Sequence, residues 1–204
     1  SADGHMNEGV TSTILGLKGI PYLAECLMIS RDIKLAEYTG GRLHLSCVST
    51  AKSVELIRGA KKKGINITAD VAIHNLVLEE TACKGFDTYY KVNPALRTKT
   101  DIKALIKALQ DGTIDAICTD HNPEDLEHKK VEFDNASFGI IGLQTAFSLA
   151  CQLEKEIGLE GIIEKMAINP RKLLGLETPE INTKKTANLF LFNPTTEWIL
   201  KETD

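Results

Sequence analysis

The sequence predicts an α/β fold built on a parallel sheet. Three observations predict it. Short apolar runs alternate with amphipathic helical stretches, giving about three βα units. The first three helical stretches each carry a cap residue before them or a glycine after them. The apolar run 114–118 leads to an acid, Asp120, at the strand end where α/β proteins build their sites. A complete eight-fold barrel takes about 250 residues, so the residues alone allow either a small open α/β fold or part of a barrel.

The elements follow in order. Residues 1–9 read as loop, as though the chain began inside a larger fold. A helix runs over 21–38, because Pro21 suits a first turn, Leu23, Leu27 and Met28/Ile29 recur at helical spacing, and Gly40-Gly41 ends it. Residues 42–48 alternate as a strand, with Leu43, Leu45 and Cys47 on one face. His44, Ser46 and Val48 share the other, and His44 is expected toward the helix layer. Ser49 or Thr50 caps a helix over 51–63, whose stripe is Val54, Ile57 and Ala60 and whose stop is Gly64.

Residues 65–73 read as the next strand, followed by His74 and a long loop through Arg97. Thr100 is expected to cap a helix over 101–110 that turns Ile102, Leu105, Ile106 and Leu109 inward and stops at Gly112. The strand ending at Asp120 comes next. At period two, Ile114, Ala116, Cys118 and Asp120 share a face. The charged stretch 124–137 reads as a solvated loop. Helices are expected over 140–156, 160–166 and 170–174, and a strand pair over 187–200 with Asn193-Pro194 at its turn.

Composition narrows the function classes. The 204 residues are 43% hydrophobic with a net charge of −4, ordinary for a globular chain. Mild acidity argues against nucleic acid as partner. No apolar run approaches a membrane span and no signal peptide is visible. The five cysteines are widely spaced without a CxxC, which suits a reduced, cytoplasmic setting.

Several residues could carry chemistry. An acid at the end of an apolar strand is costly unless a cation meets it, so Asp120 either caps its turn or meets a metal or a substrate proton. Cys47 also ends a strand; it is either a small buried hydrophobe or a zinc ligand. His74, after a strand and among apolar residues, reads as a core or supporting group. His121 follows Asp120 and can hold its loop in place. His5 and His128 lie in polar loops. Asn93 can donate and accept hydrogen bonds, and Arg97 can fork onto a carboxylate. Phe138-Gly139 opens a helix and offers backbone N–H groups to an anion or ring edge.

Taken together, six motifs occur in one order: Met6-Asn7-Glu8-Gly9, Leu15-Gly16-Leu17-Lys18-Gly19-Ile20-Pro21, Cys47-Val48-Ser49-Thr50, Lys91-Val92-Asn93-Pro94, Asp115-Ala116-Ile117-Cys118-Thr119-Asp120-His121, and Phe138-Gly139-Ile140-Ile141-Gly142-Leu143. In that order they resemble the carboxyl-terminal half of a dihydroorotase, of the type related to multifunctional pyrimidine-pathway enzymes, in the amidohydrolase superfamily. The resemblance implies the C-terminal part of a (β/α)8 metal-dependent hydrolase barrel over 1–175. It implies a C-terminal strand segment of a small β-sandwich domain over 176–204. The implied reaction is reversible closure of carbamoyl aspartate to dihydroorotate with zinc at the barrel's carboxyl face.

By the same resemblance, Asp120 contacts metal and shuttles the proton. Asn93, Phe138 and Gly139 bind substrate, Cys47 stands at a metal-histidine position, and His74 and His121 support the site. Two departures are specific to this chain. Cys47 replaces the metal histidine of the sixth strand, and Glu124 replaces a substrate-binding histidine. The His74-Asn75 pair stands where two histidines are usual. The family's His-x-His pair, bridging residue and fifth-strand histidine would precede Ser1. The resemblance therefore implies an impaired or inactive cyclic amidohydrolase, with no turnover expected from these 204 residues by themselves. The alternative is a non-catalytic homologue acting as a scaffold for aspartate carbamoyltransferase. A partial barrel leaves strand edges and apolar faces uncovered, so association, including homo-oligomers, is expected.

Overall fold

The computed structural model describes residues 3–194 and 196–199. The chain opens with β1 (Met6–Asn7) and α1 (Val10–Leu15), and β2 (Gly19–Ile20) pairs parallel with β1. The long α2 (Tyr22–Thr39) starts after Pro21 and ends at Gly40, whose φ of 68° suits glycine. Next come β3 (Leu43–Leu45), α3 (Ala51–Lys62), β4 (Ile67–Ala72) and the single turn α4 (His74–Val77). After two 3-10 turns, α5 (Lys99–Gln110) leads to β5 (Ala116–Cys118). The chain continues through α6 (Leu126–Lys129), α7 (Ala146–Cys151), α8 (Glu154–Ile163) and α9 (Asn169–Leu174).

The second sheet has the order β3-β4-β5, all parallel, with His44 opposite Thr68, Asp70 opposite Ala116 and Ala72 opposite Cys118. This register sorts the two faces. Leu45, Ile67, Ala69, Val71 and Ile117 join the core with Val54 and Ile57 of α3 and Leu105 of α5. Ile57 and Leu105 are fully buried, and each such side chain contributes about 1.5–3 kcal/mol. The opposite face carries His44, Thr68, Asp70 and Cys118. Among the described residues the two sheets do not close into a barrel.

Polar staples set the strand ends. The Glu25 carboxylate of α2 accepts the Ser49 and Thr50 N–H groups, each at 3.1 Å, and so anchors the start of α3. The Thr50 hydroxyl then caps α3 by accepting the Ser53 N–H. Asp115 accepts the Ala69 N–H at 2.8 Å and pairs with Lys61 at 2.7 Å, which aligns β5 against β4.

Five sequence expectations are corrected. The cap of α5 is Thr98, not Thr100: its hydroxyl accepts the Asp101 N–H, and the Asp101 carboxylate accepts the Thr98 N–H. Loss of this box in Thr98→Ala is expected to cost about 1 kcal/mol in urea denaturation. The exposed Thr100→Ala is expected to change stability by less than about 0.5 kcal/mol. The reverse ranking would return the cap to Thr100.

His44 does not face the helix layer. Its register beside Thr68 turns it toward Asp70, with Nε2 2.9 Å from Oδ2. Residues 140–145 are not helical, because their backbone is engaged elsewhere. The Ile140 carbonyl accepts the Asn122 N–H, and the Gly142 and Leu143 N–H groups donate to His121 Nδ1. The stretch 124–137 is not uniformly solvated: Lys129, Phe133 and Ala136 are buried. Finally, the described residues of 187–199 form no strand, and they pair with none of the described strands. Phe190 and Phe192 instead pack edge-on against Phe147, with centroids 5.7 and 4.8 Å away. Thr195, Leu200 and residues 201–204 of that expected segment lie outside the described residues.

Candidate functional site

The site lies where β3, β4 and β5 end. Both Cys47 and Asp120 follow their strands in the left-handed region, with φ of 55° and 45°. For residues with a Cβ this costs roughly 1–3 kcal/mol and is held by surrounding contacts. The two residues therefore leave the alternation of the strands before them. Cys47 swings across the polar face, so its sulfur sits 3.7 Å from Cys118 Sγ. Asp70, between them on β4, accepts from Cys47 N–H at 2.7 Å, Cys118 Sγ at 3.3 Å and the Ser46 hydroxyl at 3.2 Å. The sulfur–sulfur contact with Cys118 lowers the Cys47 thiol's pKa. The same contact, with burial and the Asp70 charge, pushes the Cys118 thiol up.

Asp120 faces a second group. His74 is 2% exposed, and its Nε2 lies 3.7 Å from Asp120 Oδ2. Neither of its ring nitrogens has a hydrogen-bond partner among the described residues. Burial lowers its pKa, opposed by the Asp120 charge. Burial thus disfavours the charged form of the ring beside the carboxylate.

Asn93, Asp120, Phe138 and Gly139 converge on one cavity of about 170 Å³, together with Asn122, Val92 and Ile140. Its wall is built by clamps. The Asn122 side chain donates to the Phe138 carbonyl at 3.1 Å, and the Gly139 N–H donates to the Lys91 carbonyl at 2.9 Å. Lys129 Nζ donates to the Thr88, Ser137 and Gly139 carbonyls at 3.0, 2.9 and 2.7 Å. The Lys91 ammonium lies 4.9 Å from the Phe138 ring centroid. Gly139 must remain glycine, since a Cβ there would lie 2.4 Å from the Asn122 carbonyl oxygen.

Sequence reasoning singled out Asn93, Asp120, Phe138 and Gly139 of the cavity lining but missed Asn122 there, and missed Asp70, Cys118 and Lys129 as site builders. Asp70 had a signal: the polar set Thr68 and Asp70 alternates with apolar Ile67, Ala69, Val71 and Ile73. Lys129 had none, because a lysine in a charged run reads as solvated. Arg97 is drawn away from the cavity. It is buried and donates to Ser49 Oγ, Asn7 Oδ1 and the Ile20 carbonyl. His128 is exposed beside Asp125 and Glu124.

Residues 7–203 match the family model described as the amidohydrolase family. The chain belongs to that family. Within it, the chain is a dihydroorotase homologue. It is 46% identical over 200 residues to a dihydroorotase of Acetivibrio thermocellus, a match covering 97% of this chain and 47% of that protein. It is 48% identical over 203 residues to a dihydroorotase of Thermoanaerobacter sp., covering 98% and 47%. This amidohydrolase chain thus spans about half the length of the curated relatives it matches. Among solved structures it resembles L-hydantoinase from Arthrobacter aurescens, with a TM-score of 0.70 and 27% identity over 74% of this chain and 35% of that one. It also resembles dihydropyrimidinase from Brevibacillus agri, with a TM-score of 0.73 and 24% identity over 86% and 39%. A third likeness, in fold alone, is to the inactive dihydroorotase-like domain of a Chaetomium thermophilum CAD-like multifunctional protein. Its TM-score is 0.56 at 23% identity, over 76% of this chain and 47% of that one. The α/β arrangement therefore matches part of an amidohydrolase barrel. No described helix is long and apolar enough to cross a membrane.

Proposed function

We propose that the chain is the carboxyl-terminal part of a dihydroorotase-like cyclic amidohydrolase, with 1–175 contributing barrel and 176–204 contributing to a small β-domain. The cavity is the seat of the dihydroorotate or carbamoyl aspartate ring. One observation carries this reading: Asn93, Asp120 and Phe138-Gly139 come from three separate loops and line one cavity at the carboxyl end of the sheet.

The chemistry follows from what each group can do. Asp120 is an acceptor beside the buried His74, and it can take a proton at its carboxylate and return it. The Asn93 amide can donate to a ring carbonyl and accept from a ring N–H. The Phe138 and Gly139 carbonyls are held by Asn122 and Lys129, yet each keeps a second lone pair for substrate. The donor chemistry at the strand ends, thiols and carboxylates, suits zinc. When bound, zinc would activate a water and polarise the ring carbonyl, and the resemblance assigns Cys47 and Asp120 to it.

Two residues favour a second reading, a non-catalytic homologue that scaffolds aspartate carbamoyltransferase. Cys47 brings a thiolate where a neutral imidazole is usual. Glu124 brings a negative charge to the Gly139 wall, its Cγ 3.0 Å from where a Gly139 Cβ would stand. The two readings separate in the full-length protein. Asn93→Ala is expected to weaken dihydroorotate binding about five- to ten-fold, the loss of one hydrogen bond. Asp120→Asn is expected to abolish any turnover while binding stays within a few-fold. Binding indifferent to Asn93→Ala overturns the cavity assignment. Binding without turnover in the parent protein favours the scaffold.

A further inference from the structure

One group of metal-ligating atoms shares only Cys47 with the pair that the resemblance assigns. Cys47 Sγ, Cys118 Sγ and an Asp70 oxygen all lie within 4.8 Å of one another, and Asp120 is not in the group. Each ligand comes from a different strand: Cys47 follows β3, Asp70 is on β4 and Cys118 ends β5.

Two of the three donor separations suit one tetrahedral ion, and the third is no more than 4.8 Å. Two sulfurs each about 2.3 Å from zinc would stand about 3.8 Å apart, and a sulfur and a carboxylate oxygen at about 2.0 Å would stand about 3.5 Å apart. The corresponding separations here are 3.7 Å between the sulfurs and 3.3 Å from Cys118 Sγ to Asp70 Oδ1. The carboxylate is already oriented. His44 Nε2 holds Oδ2 at 2.9 Å, which turns Oδ1 toward the sulfurs. Both cysteines are free and only half-buried, so an ion can reach them.

We propose that Cys47, Cys118 and Asp70 form a thiolate-rich site for a thiophilic divalent ion of the zinc type, which ties the ends of β3, β4 and β5 together. Binding expels two thiol protons to solvent and leaves two thiolates and a carboxylate on the ion. A fourth position stays open to water. Two sulfur ligands select zinc, cadmium or cobalt over magnesium and calcium. The site rests on these three donor atoms and not on the dihydroorotase reading.

Cobalt(II) is the probe, added to the reduced, metal-free full-length protein. The expected result is a thiolate-to-cobalt charge-transfer band together with the intense visible bands of a tetrahedral ion. The band is lost in Cys47→Ser, in Cys118→Ser and in Asp70→Asn, and is retained in Cys151→Ser and Asp120→Asn. Loss in Cys47→Ser and Asp120→Asn with retention in Cys118→Ser overturns the proposal and returns the ion to the Cys47–Asp120 pair. A second measurement needs no variant that could misfold. Stoichiometric zinc is expected to slow alkylation of Cys47 and Cys118 at least ten-fold, read by peptide mass spectrometry, while Cys151 reacts as before. Equal alkylation of Cys47 and Cys118 with and without zinc overturns the site.

Discussion

A Glu124→His variant of the full-length protein is expected to bind dihydroorotate about 30- to 1,000-fold more tightly than the parent. On the proposed function, the ligand is an anion in the cavity lined by Asn93, Asp120 and Gly139. Glu124 packs against the Gly139 backbone, 3.7 Å from Nδ1 of the exposed His128, and its charge also acts on the buried Lys129. A carboxylate at that wall repels the ligand and offers no donor. A histidine removes the like charge and supplies a ring N–H. Removing the repulsion and adding a donor to a charged group is worth about 2–4 kcal/mol, which is the fold-change given. Isothermal titration reads it directly. Unchanged or weaker binding would show that Glu124 does not face the ligand. Raised affinity without turnover would place the remaining defect at Cys47.

The second large effect is on stability. Lys129→Met is expected to cost about 3 kcal/mol and to lower the melting temperature by roughly 6–12 °C. Lys129 is 3% exposed, and its ammonium satisfies three carbonyls from two segments, Thr88 on one side and Ser137 and Gly139 on the other. Truncation leaves the Ser137 and Gly139 carbonyls without that donor, at about 1–3 kcal/mol each, while the Thr88 carbonyl still accepts the Lys91 N–H at 3.0 Å. Part of that cost is offset because no ammonium need then be desolvated. Burial already pulls the Lys129 pKa down, which is the same desolvation seen from the titration side. The exposed Lys62→Met serves as control, with a change below about 0.5 kcal/mol. Equal melting of the two variants would mean that the Lys129 clamp contributes nothing. Because Gly139 O is one of the three acceptors, Lys129→Met also loosens the cavity wall.

The legible parts of the chain were those written in short stretches. Pro21, Thr50, Gly40 and Gly64 announce helix ends because a cap joins residues only three or four apart. Thr98 and Thr100 show how fine that reading is. Both can cap, and the choice falls to Thr98 because Asp101 stands three residues on and closes the box. The helix expected over 140–156 failed for a different reason. The 140–143 backbone serves Asn122 and His121, partners some twenty residues upstream that periodicity does not weigh.

By itself the sequence determined the βα order, the apolar stripes of α3 and α5, the family, and the motif residues Asn93, Asp120, Phe138 and Gly139. Tertiary structure alone decided which donors meet. Cys47 is 23 residues from Asp70 and 71 from Cys118, and the three come together only through the parallel register of β3, β4 and β5. The left-handed turns at Cys47 and Asp120 then break the alternation from which their directions were read. Burial of Lys129 likewise depends on two carbonyl-bearing loops, one 41 residues upstream and one 8 to 10 residues downstream. Local rules act along the chain over a few bonds, whereas a site is assembled across strands, where pairing register and backbone hand decide which side chains face each other.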